Sequence, residues 1–291
     1  MLNNFKKPIL IAEIGCNHKG DIKIAKKMIQ VAALSGADYV KFQKRNNKYL
    51  LKDKYNNPHP LPENFYGVTY GKHIYYLELS IKDHLILSKF CKKNQTKYAV
   101  SVWEKKSALE LINSNIVLDY IKVPSACNLD FELLEVLAKK FKKKIHISLG
   151  MTRHKEIDII FNFFKKYNRT NDLVFYACTS DYPAEFDNLC LLEITKLTKK
   201  YGSKIHNVAF SGHHLGIAID IASYTLGANY IERHFTLDRT WKGTDHAASL
   251  EPEGLRKLSR NLINTFKSLK YKPHNGLLKT EMFQRKKLKS L

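Results

Sequence analysis

Two lysines sit where buried strands should be apolar. Lys41 follows Tyr39 and Val40, and Lys122 follows Tyr120 and Ile121; a charge at such a place is costly to bury unless it meets an opposite charge or an anionic ligand. Hydroxyls recur at comparable places, in Ser101, Ser125, Ser148, Ser180 and Ser211. Two ammonium point charges with several hydroxyl donors suit a small phosphate-bearing anion. Taken singly, each serine fits a loop or a helix N-cap as well as a ligand contact. His213 and His234 end two later runs, and Glu13 ends the first. Two imidazoles, completed by a carboxylate or water, would suit a divalent first-row metal better than a Cys-rich zinc site would; Mn2+ stands first, with Mg2+ or Co2+ as alternatives. His214 is an alternative ligand, or a support for His213. Gln43 and Tyr182 join the same strand-end set, and Asp245 lies in a loop beyond the last strand, where its carboxylate could reach a polyhydroxy substrate. Cys127 is readable as a nucleophile, although an isolated thiol among apolar neighbours is more often core filler.

Those side chains need a scaffold that brings distant strand ends together. Short apolar runs at 9–14, 39–43, 98–101, 120–123, 145–148, 173–177, 208–211 and 230–234 alternate with amphipathic helical stretches. Helical spacing is visible near 24–33, 85–91, 108–112 and 133–140, and again from about 191, 217 and 254. A polar insertion spans 44–80. Eight strands, each counted with a helix after it, predict an α/β fold of the closed (β/α)8 TIM-barrel type. Its active site belongs at the C-terminal ends of the strands, and every residue named above lies at or just beyond one.

Composition narrows the class further. The chain has 291 residues, 44% hydrophobic and 26% charged, as in an ordinary globular protein. Its five cysteines are widely spaced and form no CxxC pair, which argues for a reducing, cytoplasmic setting without a disulfide framework. No apolar run approaches the roughly 20 residues of a membrane span, and the N-terminal run is too short for a signal-peptide core. The net charge of +22 invites a nucleic-acid partner. Yet lysines such as Lys23, Lys26, Lys27, Lys139 and Lys140 recur at helix-like spacings along the chain, the pattern of solvated faces. Neither nucleic acid nor membrane is expected as a partner. Motifs for a Rossmann cofactor, a P-loop, a zincin or a hydrolase elbow are missing.

Longer strings carry a resemblance. Ile11-Ala-Glu-Ile-Gly-Cys-Asn-His-Lys-Gly20, Lys41-Phe-Gln-Lys44, Tyr176-Ala-Cys-Thr-Ser-Asp-Tyr-Pro183, Ser211-Gly-His213 and the stretch from Glu232 to Pro252 closely resemble the sialic acid synthase family, over about 9–285. What the resemblance implies is a metal-dependent condensation of phosphoenolpyruvate with an N-acylhexosamine, such as N-acetylmannosamine or its 6-phosphate. The products would be a nonulosonic acid for surface-carbohydrate biosynthesis, and phosphate. Carried over by position, Lys41, Ser101, Lys122, Ser125, Ser148 and Ser211 would hold phosphoenolpyruvate, and Ser180, a further substrate-binding candidate, falls where the family often has Asn. Metal ligands would be His213 and His234, while Glu13, Gln43, Tyr182 and Asp245 would hold the sugar and manage its protons. Glu13 is the expected general acid/base, and a homodimer is implied.

Two departures from the family pattern bear on the sugar. Where relatives carry a sugar-binding acid, it reads Ser125-Ala126-Cys127. It also ends at Leu291, about where a linker to the family's antifreeze-like domain would begin. The expectation is therefore a synthase barrel over 1–275 and a basic tail over 276–291, without that domain. Two alternatives predict different chemistry. One is condensation of phosphoenolpyruvate with another aldose, as in deoxyoctulosonate-type synthases; the other is a noncatalytic barrel that binds polyanions.

Overall fold

The computed structural model describes residues 5–58 and 65–289; positions 59–64 of the insertion and 290–291 of the tail lie outside the described residues. Eight parallel strands close in chain order into one barrel. They are β1 (Ile9–Gly15), β2 (Tyr39–Lys44), β3 (Lys97–Val102), β4 (Tyr120–Val123), β5 (Lys144–Ser148), β6 (Leu173–Cys178), β7 (Asn207–Gly212) and β8 (Tyr230–His234). Closure comes from β1 pairing with β8, Ile9 opposite Tyr230 through Glu13 opposite His234. The expected TIM barrel is therefore the fold.

Helices cover the outside. After β1 comes α1 (Ile22–Leu34), capped by Asp21, whose carboxylate accepts from the backbone N–H groups of Lys23 and Ile24. The insertion after β2 holds α2 (Asn47–Leu51) and α3 (Tyr70–Leu77), followed by α4 (Ile81–Lys93). Short length hid α3, although Tyr70, Ile74 and Leu77 keep helical spacing after the N-cap Thr69. Then follow α5 (Lys105–Ile112), α6 (Phe131–Lys140), α7 (His154–Lys166), α8 (Leu192–Tyr201), α9 (Ala218–Thr225) and α10 (Pro252–Ser268). Within the stretch expected as a tail, Lys279–Leu288 form an exposed helix, α11.

Strand alternation decides what each side chain meets, because successive Cβ atoms point to opposite faces. One parity, including Leu10, Ala12, Val40, Phe42, Val100, Ile121 and Ile231, packs under the helices in the main core. The other parity faces the barrel axis. Low in the barrel it is filled by Ile11, Tyr39, Ala99, Tyr120, Val174 and Tyr176, with the His146 ring stacked on Tyr120 at 3.7 Å between centroids. One step up, the same parity turns polar. Glu13 pairs in register with Lys41, Ser101 with Lys122, and Ser211 with Glu232.

Candidate active site

The polar layer floors a cavity of about 360 Å³ at the C-terminal mouth of the barrel. Every residue expected there lines it: Glu13, Lys41, Gln43, Ser101, Lys122, Ser125, Ser148, Ser180, Tyr182, Ser211, His213, His234 and Asp245. Sequence reasoning missed two charged members, Glu232 and Arg45. Glu232 had a signal, since it interrupts β8 at the same inward parity as Tyr230 and His234.

The lysines are not bare cations. Lys41 Nζ lies 2.5 Å from Glu13 Oε2 and donates to Ser101 Oγ at 2.7 Å. Lys122 Nζ donates to Glu232 Oε1 at 2.6 Å, and the same oxygen accepts from Ser211 Oγ at 3.1 Å and lies 3.7 Å from Lys41. Below it, the face of Tyr176 lies 4.1 Å from the Lys122 ammonium, a cation–π contact. Both pairs are almost wholly buried. Burial pushes against the Glu232 charge, but Lys122 and Lys41 outweigh it and hold the carboxyl at about 2. Glu13 goes the other way, because burial exceeds the help it gets from Lys41 and Glu232 repels its charge. Burial also lowers Lys122, against the pull of Glu232. The floor thus holds a firmly ionised Glu232 and a Glu13 whose carboxyl is biased toward taking up a proton. Protonating Glu13 leaves two ammonium groups facing one carboxylate, the charge balance that an incoming anion requires.

Hydroxyls ring this cluster on the far wall. Ser125 Oγ accepts from the Gly150 backbone N–H at 3.1 Å. Gly150 must lack a side chain there, since a Cβ would collide with the hydroxyls of Ser180 and Ser125. Across the cavity Gly15 has φ of +55°, and a Cβ on it would press on Gln43 and Glu13 at 3.1 and 3.2 Å with Asp245 at 3.7 Å. Glycine is what lets these three converge. Gln43 donates to Glu13 Oε1 at 3.3 Å.

His213 and His234 lie side by side, their ring centroids 5.6 Å apart. Tyr182 packs over both, 4.1 Å from the first ring and 5.8 Å from the second. The 2.6 Å contact between His213 Nδ1 and the Thr179 carbonyl assigns the proton to Nδ1 and leaves Nε2 with a free lone pair. Burial, and then His234, hold His213 down at about 3, so it is neutral at pH 7. His234 Nδ1 is buried without a hydrogen-bond partner and stands 3.8 Å from Asp245 Oδ2. An orphaned imidazole nitrogen beside a neutral imidazole and a carboxylate fits a divalent cation completed by water or substrate oxygens. No group of three or more His, Cys, Asp or Glu side chains forms a ready cage among the described residues.

Two sequence alternatives are corrected by position. His214 faces away from the cavity and is fully buried against Arg233 and Asp220, so it supports the turn carrying His213 and cannot share its ligand. Cys127 is buried in the main core, and burial lifts its thiol to about 12. It is filler, and the cavity meets Ala126 instead.

Comparison with known proteins agrees with this geometry. The NeuB family profile matches residues 28–273. The chain is 35% identical over 284 residues to human N-acetylneuraminate-9-phosphate synthase, covering 96% of this chain and 76% of that protein. It is 35% identical over 266 residues to N,N'-diacetyllegionaminic acid synthase of Campylobacter jejuni, covering 91% and 78%. A crystal structure of N-acetylneuraminic acid synthetase from Leptospira borgpetersenii superposes with a TM-score of 0.80 at 26% identity, over 100% of this chain and 96% of that one. The chain belongs to the NeuB family of sialic acid synthases and is a phosphoenolpyruvate-dependent enzyme that forms a carbon–carbon bond.

Proposed function

We propose that this enzyme condenses phosphoenolpyruvate with the open-chain aldehyde of an N-acylhexosamine, N-acetylmannosamine or its 6-phosphate, giving a sialic-type nonulosonic acid and phosphate. The observation that carries this reading is the buried floor of Lys41, Lys122, Glu13 and Glu232 beneath a wall of serine hydroxyls. Carbon three of the enol attacks the aldehyde carbon, carbon two takes a water, and the carbon–oxygen bond to phosphate breaks. Lys41 and Lys122 neutralise the donor's phosphate and carboxylate, and Ser101, Ser125, Ser148, Ser180 and Ser211 donate to their oxygens. Glu13 delivers a proton to the aldehyde oxygen as it becomes a hydroxyl, a role suited to a carboxyl whose proton affinity burial has raised. Gln43, Tyr182 and Asp245 orient the sugar, and its alignment over the enol removes much of the entropic barrier.

His213 and His234 would hold a divalent ion, Mn2+ in first place, and when bound it would polarise the aldehyde oxygen. Enzyme stripped with a chelator is expected to lose turnover and regain it with Mn2+; full activity in the stripped protein overturns that assignment. We place the reaction in the cytoplasm and expect a homodimer, which sedimentation would check. No helix among the described residues is long and apolar enough to cross a membrane.

Phosphate release from phosphoenolpyruvate against a panel of aldoses, with the mass of each product, tests the reading. A product three carbons longer than an N-acylhexosamine supports it. Turnover with only non-aminated pentoses or tetroses favours the deoxyoctulosonate-type alternative.

A further inference from the structure

Arg45 lines the same cavity, and the chemistry above does not use it. It follows β2 at the inward parity of Lys41 and Gln43. Its guanidinium sits at the rim, 5.6 Å from the Trp103 ring centroid, with Nη2 2.8 Å from Cys16 Sγ. Cys16, Arg45 and Trp103 each stand one residue past the ends of β1, β2 and β3. They lie above Gln43 and away from the lysine floor.

A single carboxylate, Glu78, answers the arginine there. The Arg45 side chain is only 10% exposed. The Cys16 thiol, lifted to about 12 chiefly by burial, is a neutral and weak acceptor. Glu78 is its counter-ion, 3.5 Å from Nε, but that carboxylate also answers Lys44 at 3.0 Å and the Arg45 backbone N–H at 2.9 Å. A guanidinium keeps its proton, so the charge stays at the rim. Its planar fork matches a phosphate or carboxylate, which it binds in bidentate fashion. Two strands along, after β4, Cys127 is turned into the core and Ala126 supplies no carboxylate.

We propose that Arg45 is an acceptor subsite for an anionic group at the end of the sugar remote from the aldehyde, a phosphate monoester or a carboxylate. This inference rests on the condensation reading and sharpens its substrate. The aldehyde must lie beside the donor over the lysine floor, so the far end of an extended six-carbon chain points to the rim, where the fork waits. Asp245, on the His234 side, remains for the neutral hydroxyls.

The test is steady-state kinetics with N-acetylmannosamine, its 6-phosphate and the corresponding 6-carboxylate, on the wild-type enzyme and on Arg45→Met and Arg45→Lys. An anionic acceptor is expected to have the lower KM, and the two anionic acceptors tell phosphate from carboxylate. Arg45→Met is expected to raise the KM for that acceptor by roughly 10- to 100-fold, the scale of a charged hydrogen bond. The KM for phosphoenolpyruvate and the KM for the 6-hydroxyl sugar should stay put. Arg45→Lys, which keeps the charge without the fork, should recover part of the loss. Equal KM values for charged and neutral acceptors, or equal losses on both in Arg45→Met, overturn the inference while the condensation reading stands. No phosphate release with any aldose overturns both.

Discussion

Glu232 and Arg233 are neighbours on β8 and face opposite ways. Glu232 points into the barrel, where it is shared by Lys122, Ser211 and, more distantly, Lys41. Arg233 points out beneath the helices, where Nη1 donates to Asp220 Oδ2 at 2.5 Å and to the Gly216 carbonyl at 2.8 Å, and Nη2 to the His214 carbonyl at 2.5 Å. Both clusters are buried, yet one opens on a cavity and the other is sealed. A sealed network can only hold structure together, here the turn after β7 that carries His213. An open one can exchange partners with a ligand, and one of its carboxyls is biased toward a proton. Strand parity, one residue apart, separates chemistry from support.

The largest test of this contrast is on the open side. Glu13→Gln is expected to lower turnover by roughly 10²- to 10⁴-fold, the range for a lost general acid/base, in a protein that still folds; near-normal turnover would sink the role given to Glu13. Asp220→Asn on the sealed side should do the reverse. Breaking a buried ion pair costs about 3–5 kcal/mol, so thermal unfolding should fall by many degrees while activity per folded molecule at low temperature is largely kept. If activity collapsed without loss of stability, the sealed network would have a part in the chemistry. The smallest change is expected where a lysine meets water: Lys139→Ala breaks an exposed pair with Glu135, and neither melting nor turnover should move measurably.

These contrasts also mark where sequence reasoning reached. Apolar runs broken at their ends by Glu13, Lys41, Lys122 and His234 made both the barrel and its mouth legible, because alternation and interruption are local patterns. Glu232 went unread although it stands two residues before His234 on the same strand, the spacing that puts both on the inward face. The insertion after β2 read as polar and featureless, although it brings Tyr70, Ile74 and Leu77 to the cavity. Its helix is only 8 residues long, too short for periodicity to stand out.

The sequence by itself determined the fold class, the strand-end residues and the reading of most of the +22 charge as solvated surface. Lys23, Lys27, Lys139 and Lys140 are indeed exposed, whereas Lys41, Lys44 and Lys122 are buried. Only the tertiary structure decided the partners. Lys122 meets Glu232 across 110 residues of chain, Cys127 turns into the core, and Arg45 turns into the cavity. The physical reason is closure: a strand's pattern says which residues share a face, but the charges that face one another across the barrel are set when β1 joins β8.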